Sequence, residues 1–153
     1  MVVGSSYFAT GSTGNQYEGF VSVYNNSLNH QFNIEAPAEL GQYDKFGKAI
    51  AIGSDKIAVS DESTSVNKVW FYDLSGNPIG EIEGPSNANY GYGVNNIEIF
   101  GSGSSQVILI SAYGGDEEDT NFGDVWIYDQ NLSLIGRLSG FDSGSFGTTV
   151  DII

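Results

Sequence analysis

Apolar and polar residues alternate along this chain in short runs, and the runs recur. Val21-Ser22-Val23-Tyr24-Asn25 is the first, and Val69-Trp70-Phe71-Tyr72-Asp73 and Val125-Trp126-Ile127-Tyr128-Asp129 repeat its form. A period of two marks a β-strand, whose successive side chains point to opposite faces. Each run ends in tyrosine followed by Asn or Asp. Those side chains hydrogen-bond to backbone just ahead of them, so they open turns. A further strand is predicted after each turn, over Leu28 to Ile34, Pro78 to Ile82, and Leu132 to Leu138.

A second pattern precedes the first. Phe46-Gly47-Lys48-Ala49-Ile50-Ala51-Ile52 leads through Gly53 into Lys56-Ile57-Ala58-Val59-Ser60. Tyr92-Gly93 opens a stretch ending Ile97-Glu98-Ile99, which passes a Gly-Ser turn into Gln106 to Ala112. Each is a pair of alternating strands joined by a tight turn. The repeat is thus a four-stranded meander of about 50 residues, in the size range of a propeller blade. The first repeat starts at its second strand, in Val2 to Thr10. An opening strand of the same form lies at the other end, in Phe146-Gly147-Thr148-Thr149-Val150-Asp151-Ile152-Ile153. One domain over residues 1–153 is predicted. Repeat one takes 146–153 with 1–43, repeat two takes 44–90, and repeat three takes 91–145.

These residues resemble the FG-GAP repeats of integrin-type β-propellers. The family pattern opens with Phe-Gly, as at Phe46-Gly47, and runs into a small apolar strand such as the one ending at Ile52. Later it has a glycine followed by an aromatic strand, as in Gly123-Asp124-Val125-Trp126-Ile127-Tyr128. The likeness covers essentially the whole chain. Ser60-Asp61-Glu62 and Ser111-Ala112-Tyr113 stand where the family has Gly-Ala-Pro, and Tyr92 replaces the opening Phe of repeat three. The turn from Tyr72 to Asn77 is also similar in style to repeats of marine phage proteins. The resemblance implies an all-β propeller of four-stranded antiparallel blades, with the first blade shared between the two termini.

A blade built from both termini closes a propeller and leaves no sheet edge open. Propellers typically have about four to eight blades, so three sheets crowd a very narrow axis. Closure between chains gives a six-bladed homodimer, assembled through the C-terminal strand with Phe146, Gly147, Val150 and Ile152. A fragment of a longer propeller, a compact three-sheet monomer and a larger assembly are the alternatives. In any closed form Phe46, Tyr92 and Phe146 are expected to be buried, since each opens an inner strand.

The resemblance also implies where calcium would sit, namely the loop between the second and third strands of a repeat. In repeat three this loop is acidic, and Asp116, Glu118, Asp119, Asn121 and Asp124 could supply oxygen ligands. Calcium takes about six to eight such oxygens. The alternating family spacing is not intact in any repeat, and a solvated hairpin tip explains the same charges. Trp70 and Trp126 occupy matching positions. They serve either as an aromatic platform for a glycan or protein ligand, or as packing between neighbouring blades.

Charge narrows the partners. Nineteen acidic residues face five basic ones, for a net charge of −14. Such a surface repels phosphate backbones, so nucleic acid is not an expected ligand. No apolar run approaches the length of a membrane span. The start lacks the basic and apolar regions of a signal peptide, and a virion or extracellular setting is the expectation. There is no cysteine, and the single histidine, His30, lies on a polar outer strand. No nucleophile elbow, phosphate-binding loop or dinucleotide fingerprint occurs. The expected function is therefore a non-enzymatic binding or assembly module, such as a virion structural or adhesive protein. A carbohydrate-binding propeller and a glycan hydrolase with a carboxylate pair in the axial channel are the alternatives.

Overall fold

The structure is a computed structural model that describes residues 2–5, 19–40, 45–61, 68–84, 96–112, 123–140, 146, 147 and 150. It is all-β, with three antiparallel sheets stacked in chain order. The first contains β1 (Val2–Ser5), β2 (Phe20–Tyr24) and β3 (His30–Glu35) in that order. The second contains β4 (Ile50–Ile52), β5 (Lys56–Ser60), β6 (Lys68–Asp73) and β7 (Pro78–Glu83). The third contains β8 (Ile97–Phe100), β9 (Val107–Ala112), β10 (Asp124–Asp129) and β11 (Leu134–Ser139). Each is a meander in which consecutive strands pair. Beside β1 no fourth strand is seen among the described residues. Most of the tail assigned to that position lies outside them.

The turn between the last two strands is built the same way three times. The Asn25 side-chain oxygen accepts from the amides of Ser27 and Asn29, both at 3.0 Å. Asp73 accepts from Ser75 and Asn77, and Asp129 from Asn131 and Ser133, at 2.8–2.9 Å. The residue three places on sits in the left-handed region, at φ 61° for Leu28, 85° for Gly76 and 64° for Leu132. A bulge follows in each pair, between Val23 and Tyr24, Phe71 and Tyr72, and Ile127 and Tyr128. This is a type I turn closed by a left-handed residue, a common three-residue hairpin loop. It delays the outer strands, so β3 begins at His30 and β11 at Leu134, later than the alternation alone suggests.

The apolar side chains form two cores, one on each face of the second sheet. Val21, Val23 and Ile34 pack against Phe46, Ile57, Val59, Trp70 and Tyr72. Ala58, Val69, Phe71 and Ile82 pack against Ile97, Ile108, Ile110, Trp126 and Tyr128. With both faces covered, all five residues of β5 are buried. β4 runs beside both β1 and β8, so the inner strands of neighbouring sheets lie together.

The short opening strands depart from expectation. Strand pairing begins at Ile50, not at Phe46. Phe46 makes a parallel bridge to Gly19 of the first sheet, and the Gly47 amide donates to the Ser60 carbonyl at 2.9 Å. The Phe-Gly pair is therefore a joint between one sheet and the next.

Burial pushes the Tyr72 hydroxyl up to about 12. In the unfolded chain a tyrosine ionises near about 10, so between those values only the unfolded chain has lost its proton. Stability present below that window falls as pH rises through it. A Tyr72→Phe variant is expected to flatten the alkaline loss of melting temperature. An unchanged alkaline profile would assign the loss to other groups.

Candidate functional site

Three strand positions, one in each sheet, are equivalent by register. Ile34 pairs with Val21, Ile82 with Val69, and Leu138 with Val125. Their exposures are 4%, 7% and 53%. The first two are covered by the following sheet. Leu138 has the same role in the third sheet, and no following sheet is seen among the described residues. Because Trp126 and Tyr128 face the second sheet, alternation turns Val125 and Ile127 the other way, on the face of Leu138. Val125 and Leu109 are buried there, Ile127 is half-buried, and Leu138 is open.

The described part of the tail lies on this same face. A methyl group at Gly147 would sit 3.1 Å from the Asp124 carbonyl oxygen and 3.1 Å from a Val125 methyl. The Val150 carbonyl accepts from the Asn96 side-chain amide at 2.9 Å. Gly19 before β2 and Gly123 before β10 share φ +80°, and Gly47 and Gly147 have φ +88° and +78°. Phe146-Gly147 thus lies against the third sheet and carries the same left-handed glycine that follows Phe46. The two phenylalanines differ in cover. Phe46 is fully buried, while Phe146 is 40% exposed in the single chain, whereas burial of both is expected of a closed form. Phe46 has Trp70 and Tyr72 beside it, with ring centroids at 5.7 and 6.3 Å. Those rings belong to the sheet that Phe46 opens. Tyr92 and Ile152 lie outside the described residues.

The other predicted site residues fall elsewhere. Trp70 and Trp126 are both buried between sheets, and the Trp70 indole donates to Glu39 at 3.2 Å. Neither ring can serve as an exposed platform, because each fills the core between two sheets. Asp124 is fully buried, and among the described residues neither carboxylate oxygen has a hydrogen-bond partner. The Arg137 guanidinium lies 3.7 Å from it and balances its charge. Asp116, Glu118, Asp119 and Asn121 lie outside the described residues. Among the described residues no group of three or more His, Asp or Glu could hold a metal.

Polar side chains also tie sheets together. Buried Lys56 donates to Gln106 and reaches the Gln130 carbonyl at 3.4 Å, linking the second sheet to the third. Gln106 in turn donates to Asp55 at 2.7 Å and, with Lys56, lowers the Asp55 carboxyl below its ordinary range. Glu81, with Glu39 behind it, holds the Lys68 ammonium above its ordinary range. On the outer face of the first sheet, Ser22 donates to Asn33 at 2.9 Å and His30 meets the same oxygen at 2.8 Å. Serine and histidine are thus joined through Asn33, not to each other, and His30 is not placed to take the Ser22 proton. A groove of about 500 Å³ between the first two sheets is lined by Tyr24, Phe32, Ile52 and Leu74 among others.

No family model and no curated protein matches the chain. Among solved structures it is similar to BBS1N, a β-propeller, in the crystal structure of BBS1N in complex with ARL6DN. The TM-score is 0.52 at 11% identity, and the match covers 97% of this chain and 44% of that one. At this identity the likeness defines a fold. The chain is an all-β protein of propeller-like sheets, spanning less than half the length of that neighbour.

The residues of the open face were missed in the sequence because nothing local distinguishes Leu138 from Ile34 or Ile82. Their only signal is position, since they belong to the last complete sheet before the tail.

Proposed function

We propose that this chain is an arc of a β-propeller that works by binding protein, with the outward face of its third sheet as the contact surface. The observation that carries the reading is the exposure of Leu138 where Ile34 and Ile82 are buried. An apolar strand position that two sibling sheets cover is a position built to be covered. BBS1N is a propeller in complex with another protein, which supports contact with protein over chemistry. On this reading the tail from Phe146 begins the blade that lies against the third sheet. Two chains then make a six-bladed ring of ordinary propeller size. The role is structural or adhesive, and the acidic surface keeps the open arc soluble until it is covered.

Light scattering after size exclusion tests this. A Leu138→Glu chain is expected to run as a single chain where the unaltered protein runs as an assembly, with circular dichroism unchanged. Equal masses for the two, both corresponding to an assembly, would remove the open face as its contact surface.

A further inference from the structure

We infer that the outward face of the third sheet is covered by the first sheet of a second copy of this chain, with Leu28 of one copy seated over Gly136 of the other. This rests on the reading of that face as a contact surface and names the partner that fits it.

Each joint between sheets within the chain is a knob and a hole at the same place. The earlier sheet contributes the outer-strand residue that pairs with Val23, Phe71 or Ile127, which is Phe32, Gly80 or Gly136 respectively. The later sheet contributes the left-handed residue of its turn, which is Gly76 or Leu132. Between the first and second sheets the knob is Phe32 and the hole is Gly76. A methyl group at Gly76 would lie 2.6 Å from the Phe32 ring. Between the second and third sheets the roles reverse. Leu132 is the knob, and a methyl group at Gly80 would lie 2.8 Å from its δ-carbon. Large meets small at both joints, as close packing requires.

The third sheet offers a hole, Gly136. A methyl group there would touch only Ile127 of its own sheet, at 3.6 Å. A sheet packed on this face must bring a large turn residue to fill the hole. Of the three turns, that of the second sheet carries Gly76, and that of the third carries Leu132, already seated on Gly80. The turn of the first sheet carries Leu28, which is 68% exposed. Leu28 holds φ +61°, a conformation that leucine rarely adopts and glycine adopts freely. Leu132 holds φ +64° and fills Gly80. Leu28 carries the same strain with no such filling among the described residues. A hole without a knob and a strained knob without a hole lie on the two outward sheets of one chain. Two copies placed head to tail satisfy both.

Two substitutions keep the fold and remove the fit. Leu28→Gly relieves the backbone and deletes the knob, so its melting temperature in dilute solution is expected to match or exceed that of the unaltered chain. Gly136→Leu fills the hole, and the space at 3.6 Å from Ile127 accepts its first carbon. Each is expected to weaken self-association about tenfold or more in sedimentation equilibrium. The chain has no cysteine, which permits a direct check. A Leu28→Cys chain mixed with a Gly136→Cys chain is expected to form a disulfide-linked pair, while neither forms one alone. A Gly80→Cys, Leu132→Cys double variant supplies the same geometry within one chain as a control. If the control closes and the mixture does not, the proposed seating is wrong. Dissociation by Leu138→Glu with no effect of Leu28→Gly and Gly136→Leu would also refute the seating, yet keep the face as a contact surface. A chain that stays single at every concentration refutes the second copy as occupant.

Discussion

Gly19→Ala is expected to cost about 4 kcal/mol or more, which lies in the exceptional range for a point substitution. Backbone strain and steric overlap both contribute. Gly19 holds φ +80°, and an L side chain in the left-handed region costs about 1–2 kcal/mol. Overlap costs more than this strain. A Cβ at Gly19 would lie 2.1 Å from the Phe46 carbonyl oxygen and 3.0 Å from its carbonyl carbon. These are backbone atoms, so no rotamer change can relieve the clash. The parallel bridge between Gly19 and Phe46 must open, and with it the joint between the first two sheets. Gly103→Ala is the matching control. It too has positive φ, at 53°, but nothing lies within 4 Å of its added carbon. It is expected to cost about 1 kcal/mol. Denaturant midpoints of the two variants check the difference. Equal costs would mean that the close approach at Gly19 is relieved without loss.

Phe46→Ala is expected to cost about 3–5 kcal/mol, the usual range for deleting a buried aromatic ring. Phe46 is fully buried and meets Trp70 and Tyr72 edge-on, contacts worth about 0.5–1.5 kcal/mol beyond burial. Phe146→Ala removes the same side chain from the equivalent place in the repeat. In dilute solution it is expected to cost about 1 kcal/mol or less, because the ring is 40% exposed. If a second copy supplies the missing neighbours, as proposed, its cost at higher protein concentration is expected to rise toward that of Phe46→Ala. Denaturation at two protein concentrations measures this. A cost independent of concentration would count against closure between chains.

Much of the fold was legible because its causes are local. Val21 to Tyr24, Val69 to Tyr72 and Val125 to Tyr128 alternate, and alternation needs only the pleat of a strand. The turns at Asn25, Asp73 and Asp129 were legible as turns, since their side chains reach amides only two and four residues away. That leucine would hold the left-handed place at Leu28 and Leu132 was not legible. Its reason at Leu132 is Gly80, far off in the chain. The two tryptophans show the same limit. Alternation puts each on one face with Tyr72 or Tyr128, and a Trp-Tyr face suits a ligand platform and a sheet interface alike. Only the neighbouring sheet distinguishes them, and here it covers both rings. Asp124 stood out as one of several acids in a loop. Its burial beside Arg137 depends on the cross-strand register of β10 and β11.

The sequence by itself determined the alternating central strands, the turns that follow them and their repetition along the chain. All of these arise from residues close in the chain, or from comparing one stretch with another. Only the tertiary structure decided which members of each equivalent set are covered. Ile34, Ile82 and Leu138 have one pattern and one register, yet two are buried and one is open. Phe46 and Phe146 differ in the same way. Burial is a property of the atoms that lie across a face, and alternation says only that a face exists. The open face of the third sheet is therefore a product of stacking order, in which the last described sheet has a hole at Gly136 and the first has a knob at Leu28.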